Sequence, residues 1–183
     1  MPHTTCLRRP RAAPFLRAAA VALAILAAPL IARPGFAAKA PSFPNVPDVP
    51  VPHGVSYGGY FKTHKLVRIV FGVSNDVSLK ESLTNAAYTI KYLVPRHVRY
   101  RIQIVLYSGA VRAGDEFSNR YGGYAPLIRA LHAHGVQFRV CHNSMKAVGL
   151  TADQLYGFMK VVPAGILQLT KKQMQGYAYI NNG

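Results

Sequence analysis

Leu66-Val67-Arg68-Ile69-Val70-Phe71-Gly72-Val73, followed at once by Ser74-Asn75-Asp76, is the stretch that decides the fold. Eight residues rich in β-branched and apolar side chains that stop at a polar turn read as a buried strand. The helix expected next is capped by Ser78, with Glu81 three positions on as its capping-box partner. It runs to residue 93, with Leu83, Ala86, Ala87, Ile90 and Leu93 or Val94 on one face, and Pro95 ends it. Outward from this unit the pattern repeats. Residues 100–107 read as a second strand, and Ser108-Gly109 opens a polar loop holding Asp115, Glu116, Asn119 and Gly122-Gly123. Residues 125–134 read as a helix closed by Gly135, and residues 135–141 as a strand ending at Cys141. Thr151 with Gln154 starts a short helix. Lys160-Val161-Val162-Pro163 is a short strand, 164–175 a helix stopped by Gly176, and Tyr177-Ala178-Tyr179-Ile180 a last strand. Strands alternating with helices at this spacing predict an α/β fold. Its sheet is mostly parallel, of about five strands, covered by helices on both faces through right-handed connections. Residues 65–183 hold enough chain for one hydrophobic core and too little for two.

The N-terminal third has a different logic. Arg8, Arg9, Arg11 and Arg17 precede an apolar, alanine-rich run at residues 18–31, and Gly35-Phe36-Ala37 supplies small residues for a processing protease. Residues 1–37 therefore read as a secretory signal, which puts the mature protein in the periplasm. The run is shorter than the roughly 20 residues that span a bilayer, so no membrane-spanning segment is expected. Cys6 lies ahead of the run, where it does not serve as a lipid-anchor cysteine. In residues 38–64, Pro41, Pro44, Pro47 and Pro50 recur every third position, the repeat of polyproline II. This arm reads either as a semi-rigid spacer or as a strap packing Phe43, Val46, Val49 and Val51 on its own body or on a neighbouring subunit. Five of the 22 basic residues and none of the 6 acidic ones fall in the signal, leaving a formal +11. That field favours anionic partners. Arg96, Arg99, Arg101, Arg112 and Arg120 are scattered, without the dense basic run or interleaved aromatics of a nucleic-acid surface, so no nucleic-acid partner is expected.

In parallel α/β sheets, ligands bind beyond the carboxyl ends of the strands. Ser74-Asn75-Asp76, Ser108-Gly109 and Cys141-His142-Asn143 should converge there. Cys141 is the single cysteine of the expected mature chain, with Arg139, His142 and Lys146 close in sequence to favour a thiolate. The competing reading is a small buried apolar residue. His132 and His134 are two residues apart and share no helix face, so no metal site is expected. The Ser108-Gly109-Ala110-Val111 turn lacks the repeated glycines of a dinucleotide loop, and no cofactor is expected.

The ordered set Val73-Ser74-Asn75-Asp76, Gly135-Val136-Gln137-Phe138, Cys141-His142-Asn143-Ser144-Met145-Lys146, Gly149-Leu150-Thr151, Val161-Val162-Pro163-Ala164-Gly165 and Gly176-Tyr177-Ala178-Tyr179-Ile180 resembles the DsrE/DsrF-like family over residues 65–180. The resemblance implies a flavodoxin-like three-layer α/β/α domain, a homo-oligomer and a cysteine, here Cys141, that carries sulfur as a persulfide. In that scheme Cys141 accepts and releases sulfane sulfur, exchanging it with a donor or acceptor protein. Lys146, Asn143, Ser144 and backbone amides at the start of the following helix hold the anion. His142 reads as an assisting base or as a surface histidine. Ser74, Asn75, Asp76 and Ser108 read as the mouth of the site, or the first three as turn and cap residues. The function expected is an exported protein handling reactive sulfur. The alternative is a non-catalytic oligomer that recognises an anionic ligand or partner with Cys141 inert.

Overall fold

The computed structural model describes residues 42–47 and 52–182. The expected signal at 1–37, Cys6 within it, and the arm residues 38–41 and 48–51 lie outside the described residues. Five strands, β1 (Leu66–Val73), β2 (Arg99–Leu106), β3 (Gln137–Cys141), β4 (Lys160–Val162) and β5 (Ala178–Asn181), form one sheet in the order β4-β3-β2-β1-β5. Every pairing is parallel. The helices are α1 (Gly58–Thr63), α2 (Asp76–Leu93), α3 (Ala125–Ala133), α4 (His142–Val148) and α5 (Gly165–Met174).

Strand order and handedness together explain the layers. From β1 to β4 the chain steps across the sheet in one direction, and right-handed crossovers place α2 and α3 on a single face. The connection from β4 to β5 runs back past the whole sheet, so the same handedness puts α5 on the other face. The core divides accordingly. Ile69, Phe71 and Val73 of β1 and Ile102, Ile104 and Leu106 of β2 pack with Leu79, Leu83, Ala86 and Ile90 of α2 and Ile128 and Leu131 of α3. Val70 and Val105, which point the opposite way, pack with Leu169 of α5. Gln103 is fully buried within this second, thinner layer, where it accepts from Gln168 of α5 and donates to Gln137. These bonds satisfy a polar group that burial would otherwise penalise.

Local structure departs from the sequence reading at several places, among them helix α1, which was not expected, and helix α4, which was expected only as a helix start after Cys141. Helix α2 starts at Asp76, with Asn75 rather than Ser78 as its N-cap. The Asn75 side chain accepts from the Ser78 N–H at 2.9 Å, and the Ser78 hydroxyl accepts from the Asn75 N–H at 3.1 Å. Ser78 is thus the reciprocal partner in a capping box, the place usually taken by Glu or Gln. The loop after β2 is not open: Ser108–Gly114 winds as a 3-10 segment that buries Ala110, Val111 and Ala113. The proline arm does not continue as polyproline II, because a turn forms at Pro44-Asn45 with Asn45 at φ 60°. That turn lets Val46 join the main core and sets Phe43 4.4 Å from the His134 ring, so this part of the arm packs on its own domain. Gly135 closes α3 at φ 84°, the left-handed conformation its position was expected to need.

Candidate functional site

The carboxyl ends of β3 and β4 are where the chain parts to opposite faces. The connection from β3 enters α4, whose buried Met145 lies in the main core, whereas that from β4 enters α5 on the far side. Adjacent strands whose connections diverge leave a crevice between them, the place where open parallel sheets bind ligands. Cys141 is the last residue of β3 and pairs with Val162, the last residue of β4. The thiol therefore sits at the one topological switch in the β1 to β4 series.

Cys141 is unpaired and 5% exposed. Its backbone is extended and it occupies the N-cap position of α4, without a close side-chain capping hydrogen bond. Burial pushes its pKa up. Against that act the Ser144 hydroxyl and the backbone amides of Ser144, Gly165 and Asn143, which hold the thiol below its ordinary range. Two different helix starts thus converge on one sulfur, α4 through Asn143 and Ser144 and α5 through Gly165. The approach of α5 depends on glycine: a Cβ on Gly165 would lie 2.9 Å from the Tyr107 Cβ and 3.5 Å from that of Cys141.

Ser144 ties this thiol to the neighbouring strand end. Its Oγ accepts from the Ser108 N–H at 2.9 Å, which leaves the Ser144 hydroxyl hydrogen free to point to sulfur. Ser108 adopts φ 51°, a left-handed conformation uncommon for serine, at the first residue after Tyr107. Ser74, Asn75, Asp76 and Ser108 line one polar cleft of about 530 Å³, together with Arg112, Arg120 and Tyr121. Within it Asp76 accepts from Tyr121 Oη at 2.7 Å and from Arg120 Nη2 at 2.6 Å. The Tyr121 hydrogen bond, then that from Arg120, holds the Asp76 carboxyl below its ordinary value.

The residues named from sequence therefore fall into two groups. Ser74, Asn75, Asp76 and Ser108 share the cleft, while Cys141 does not line it and connects to it through Ser144 and Ser108. His142, Asn143 and Lys146 are exposed on α4. Since the strand ends at Cys141, His142 is the first helical residue and lies at the surface rather than on the opposite sheet face. Asn143 acts on the thiol through its backbone amide, and the groups lowering the thiol pKa are dipoles rather than the cation of Lys146. Sequence reasoning gave no site role to Gly165, Tyr107, Arg112, Arg120 or Tyr121. For Gly165 a signal existed, a glycine at the start of the helix that follows a short strand; Tyr121 carries none. Among the described residues no group of three potential metal ligands occurs, and no helix is long and apolar enough to cross a membrane.

An all-parallel five-stranded α/β domain with a thiol at its switch point is the class this fold and site define. The chain belongs to the DsrE/DsrF-like family, whose model matches residues 68–182. That membership links it, at family level, to sulfur metabolism. Among solved structures it is similar to a protein of unknown function, MTH1491, from Methanobacterium thermoautotrophicum, with 27% identity and a TM-score of 0.54. The match covers 63% of this chain and 98% of that one. It is also similar to the ychN protein from E. coli, at 18% identity and TM-score 0.53 over the same shares of each chain, a likeness of fold. No curated protein matches the sequence.

Proposed function

We propose that this protein carries sulfane sulfur on Cys141. The observation that supports the reading is the convergence of the Ser144 hydroxyl and three backbone amides on a lone thiol at the sheet's switch point. Thiolate is the nucleophile in sulfur exchange, and fixed dipoles favour it without a metal or a second cysteine. In the step proposed, the Cys141 thiolate attacks the terminal sulfur of a polysulfide or of a donor persulfide. The donor's S–S bond breaks, the rest of the donor leaves with the bonding pair, as a shorter polysulfide anion or as a thiolate, and a Cys141 persulfide anion forms. No net oxidation or reduction occurs. Transfer onward is the same displacement with an acceptor thiolate as the nucleophile. Burial of Cys141 slows access and at the same time shields the persulfide from bulk reductant.

The reading places the carrier outside the cytoplasm, in the periplasm, because residues 1–37 have the basic start, apolar run and small-residue end of an export signal. It also includes a homo-oligomer and a protein donor or acceptor, supported by the family membership and the net basic charge. Cold cyanolysis tests the chemistry: after polysulfide treatment and desalting, native protein should release thiocyanate stoichiometrically, and Cys141→Ser none. Equal release from both proteins would overturn it. The second reading, anion recognition without thiol chemistry, is favoured by Arg112 and Arg120 in the polar cleft. It predicts anion binding that persists in Cys141→Ser.

A further inference from the structure

A second cavity lies away from Cys141, and Cys141 does not line it. It is a groove of about 630 Å³ between α1, the carboxyl half of α2 and the start of β1, within the size range of small-molecule sites. Val67 and Ile69 contribute from β1, Tyr88 and Tyr92 from α2, and Val55, Tyr57 and Phe61 from in and around α1. Helix α1 buries none of its own residues, and Val55 and Tyr57 are 53% and 67% exposed although both line the groove. Its aromatic side chains meet the body chiefly at Tyr92. The Tyr57 N–H donates to Tyr92 Oη at 3.1 Å, and the rings of Tyr57 and Phe61 lie 6.5 and 5.9 Å from that of Tyr92. Among the described residues, Tyr92 is thus the chief anchor of the helix over the groove, and apolar side chains of Val55, Tyr57 and Phe61 line it.

Among the described residues, the charged side chains lining the groove are Lys91 and Arg96, both cationic. Arg96 is fixed there: its guanidinium lies 3.7 Å from the Tyr92 ring centroid, and its Nη1 donates to the Tyr92 carbonyl at 2.8 Å. A planar cation with five donors, anchored by one of them, keeps others for an anionic group. We infer that this groove binds a single-chain amphiphile with a carboxylate head, its apolar body between Phe61, Tyr88 and Val67 and its head at Arg96. Apolar lining supplies affinity through area removed from water, and the cation selects the charge of the head.

The test uses the purified full chain with laurate, kept below its micellar concentration, and dodecanol as the uncharged probe of equal chain length, both followed by calorimetry. Native protein should bind laurate saturably at one per chain. Arg96→Glu should weaken laurate at least tenfold while changing dodecanol less than twofold, and Phe61→Ser, on exposed α1, should weaken both. Circular dichroism and light scattering check that each variant keeps its fold and its oligomeric state. Equal effects of Arg96→Glu on the two probes, or no saturable laurate binding by native protein, would overturn the assignment. So would laurate uptake that dissociates an oligomer, because the groove would then belong to a second copy. None of these readouts depends on Cys141, and Cys141→Ser should bind laurate as native protein does.

Discussion

Two glycines make opposite use of the same distance. A Cβ at Gly165 would lie 2.9 Å from the Tyr107 Cβ, and a Cβ at Gly72 would lie 2.9 Å from the Tyr179 ring and hydroxyl. The first clash is with an atom fixed to the β2 backbone extension, so relief requires α5 or the strand end to move. The second is with the far end of a side chain that is 39% exposed, so the ring swings outward. Overpacking that moves backbone costs about 1–3 kcal/mol. The helix-propensity gain of Ala over Gly is about 1 kcal/mol in a helix interior, and less at the first residue of α5, so it does not offset the clash. Gly165→Ala should therefore destabilise by about 1–3 kcal/mol, some 2–4 °C in melting temperature per kcal/mol. Gly72→Ala should cost less than Gly165→Ala. Urea unfolding of the two variants measures both values. Because Gly165 contributes an amide to the thiol, Gly165→Ala should also raise the pKa of Cys141, whereas Gly72→Ala should not. A Gly72→Ala variant as destabilised as Gly165→Ala, or one that also shifts the thiol, would refute the reasoning.

Iodoacetamide alkylation of native protein should follow a titration with its midpoint below that of the same thiol in the unfolded chain. Ser144→Ala should move that midpoint upward, and an unmoved midpoint would remove Ser144 from the site. Asn75→Ala should cost about 0.5–2 kcal/mol through loss of the α2 cap, and a neutral result in urea unfolding would contradict the capping box. The Asp76 carboxyl has a folded pKa below its ordinary value of 3.8. Its contribution to stability is thus complete above that value and is lost as pH falls through it and then through the lowered folded pKa. Asp76→Asn should flatten the acid limb of the urea midpoint against pH, and an unchanged limb would show that Arg120 and Tyr121 do not hold the carboxylate. N-terminal sequencing of exported protein should begin near Ala38, and a chain still carrying Arg8-Arg9 would contradict the signal reading.

The alternation of β-branched runs with amphipathic stretches was enough to predict an α/β domain with a largely parallel sheet. The apolar, β-branched run at 66–73 and helical spacing at Leu83, Ala86, Ala87 and Ile90 are strong local signals, and Ile69, Phe71, Val73 and the four helical residues lie in the main core. Closure of the sheet by β5 beside β1 was not legible, because strand order is set by long-range pairing rather than by any residue of β5. The cap of α2 was misplaced because Asn75 and Ser78 are both good N-cap residues, and backbone geometry alone decides which of them leads. At the site, position along the strand located Cys141 and Ser108 at carboxyl ends. The amides at the start of α4 were expected to hold the anion, but not the second helix start, which reaches the thiol through Gly165. Gly165 lies 24 residues beyond Cys141, and nothing local links the two, whereas Lys146, near in sequence, does not act on the thiol. Tyr121 and Arg120 reach Asp76 across 44 or more residues, a distance no local pattern reports.

The central claim is that a buried thiol in a folded chain accepts sulfur. Intact-mass spectrometry of native protein after brief exposure to polysulfide at neutral pH tests it most directly, with folding monitored in the same sample. Mass should be added in steps of one sulfur atom to native protein, not to Cys141→Ser, and a thiol reductant should reverse it. A native protein that gains no sulfur until it is unfolded would contradict it and return Cys141 to the structural core.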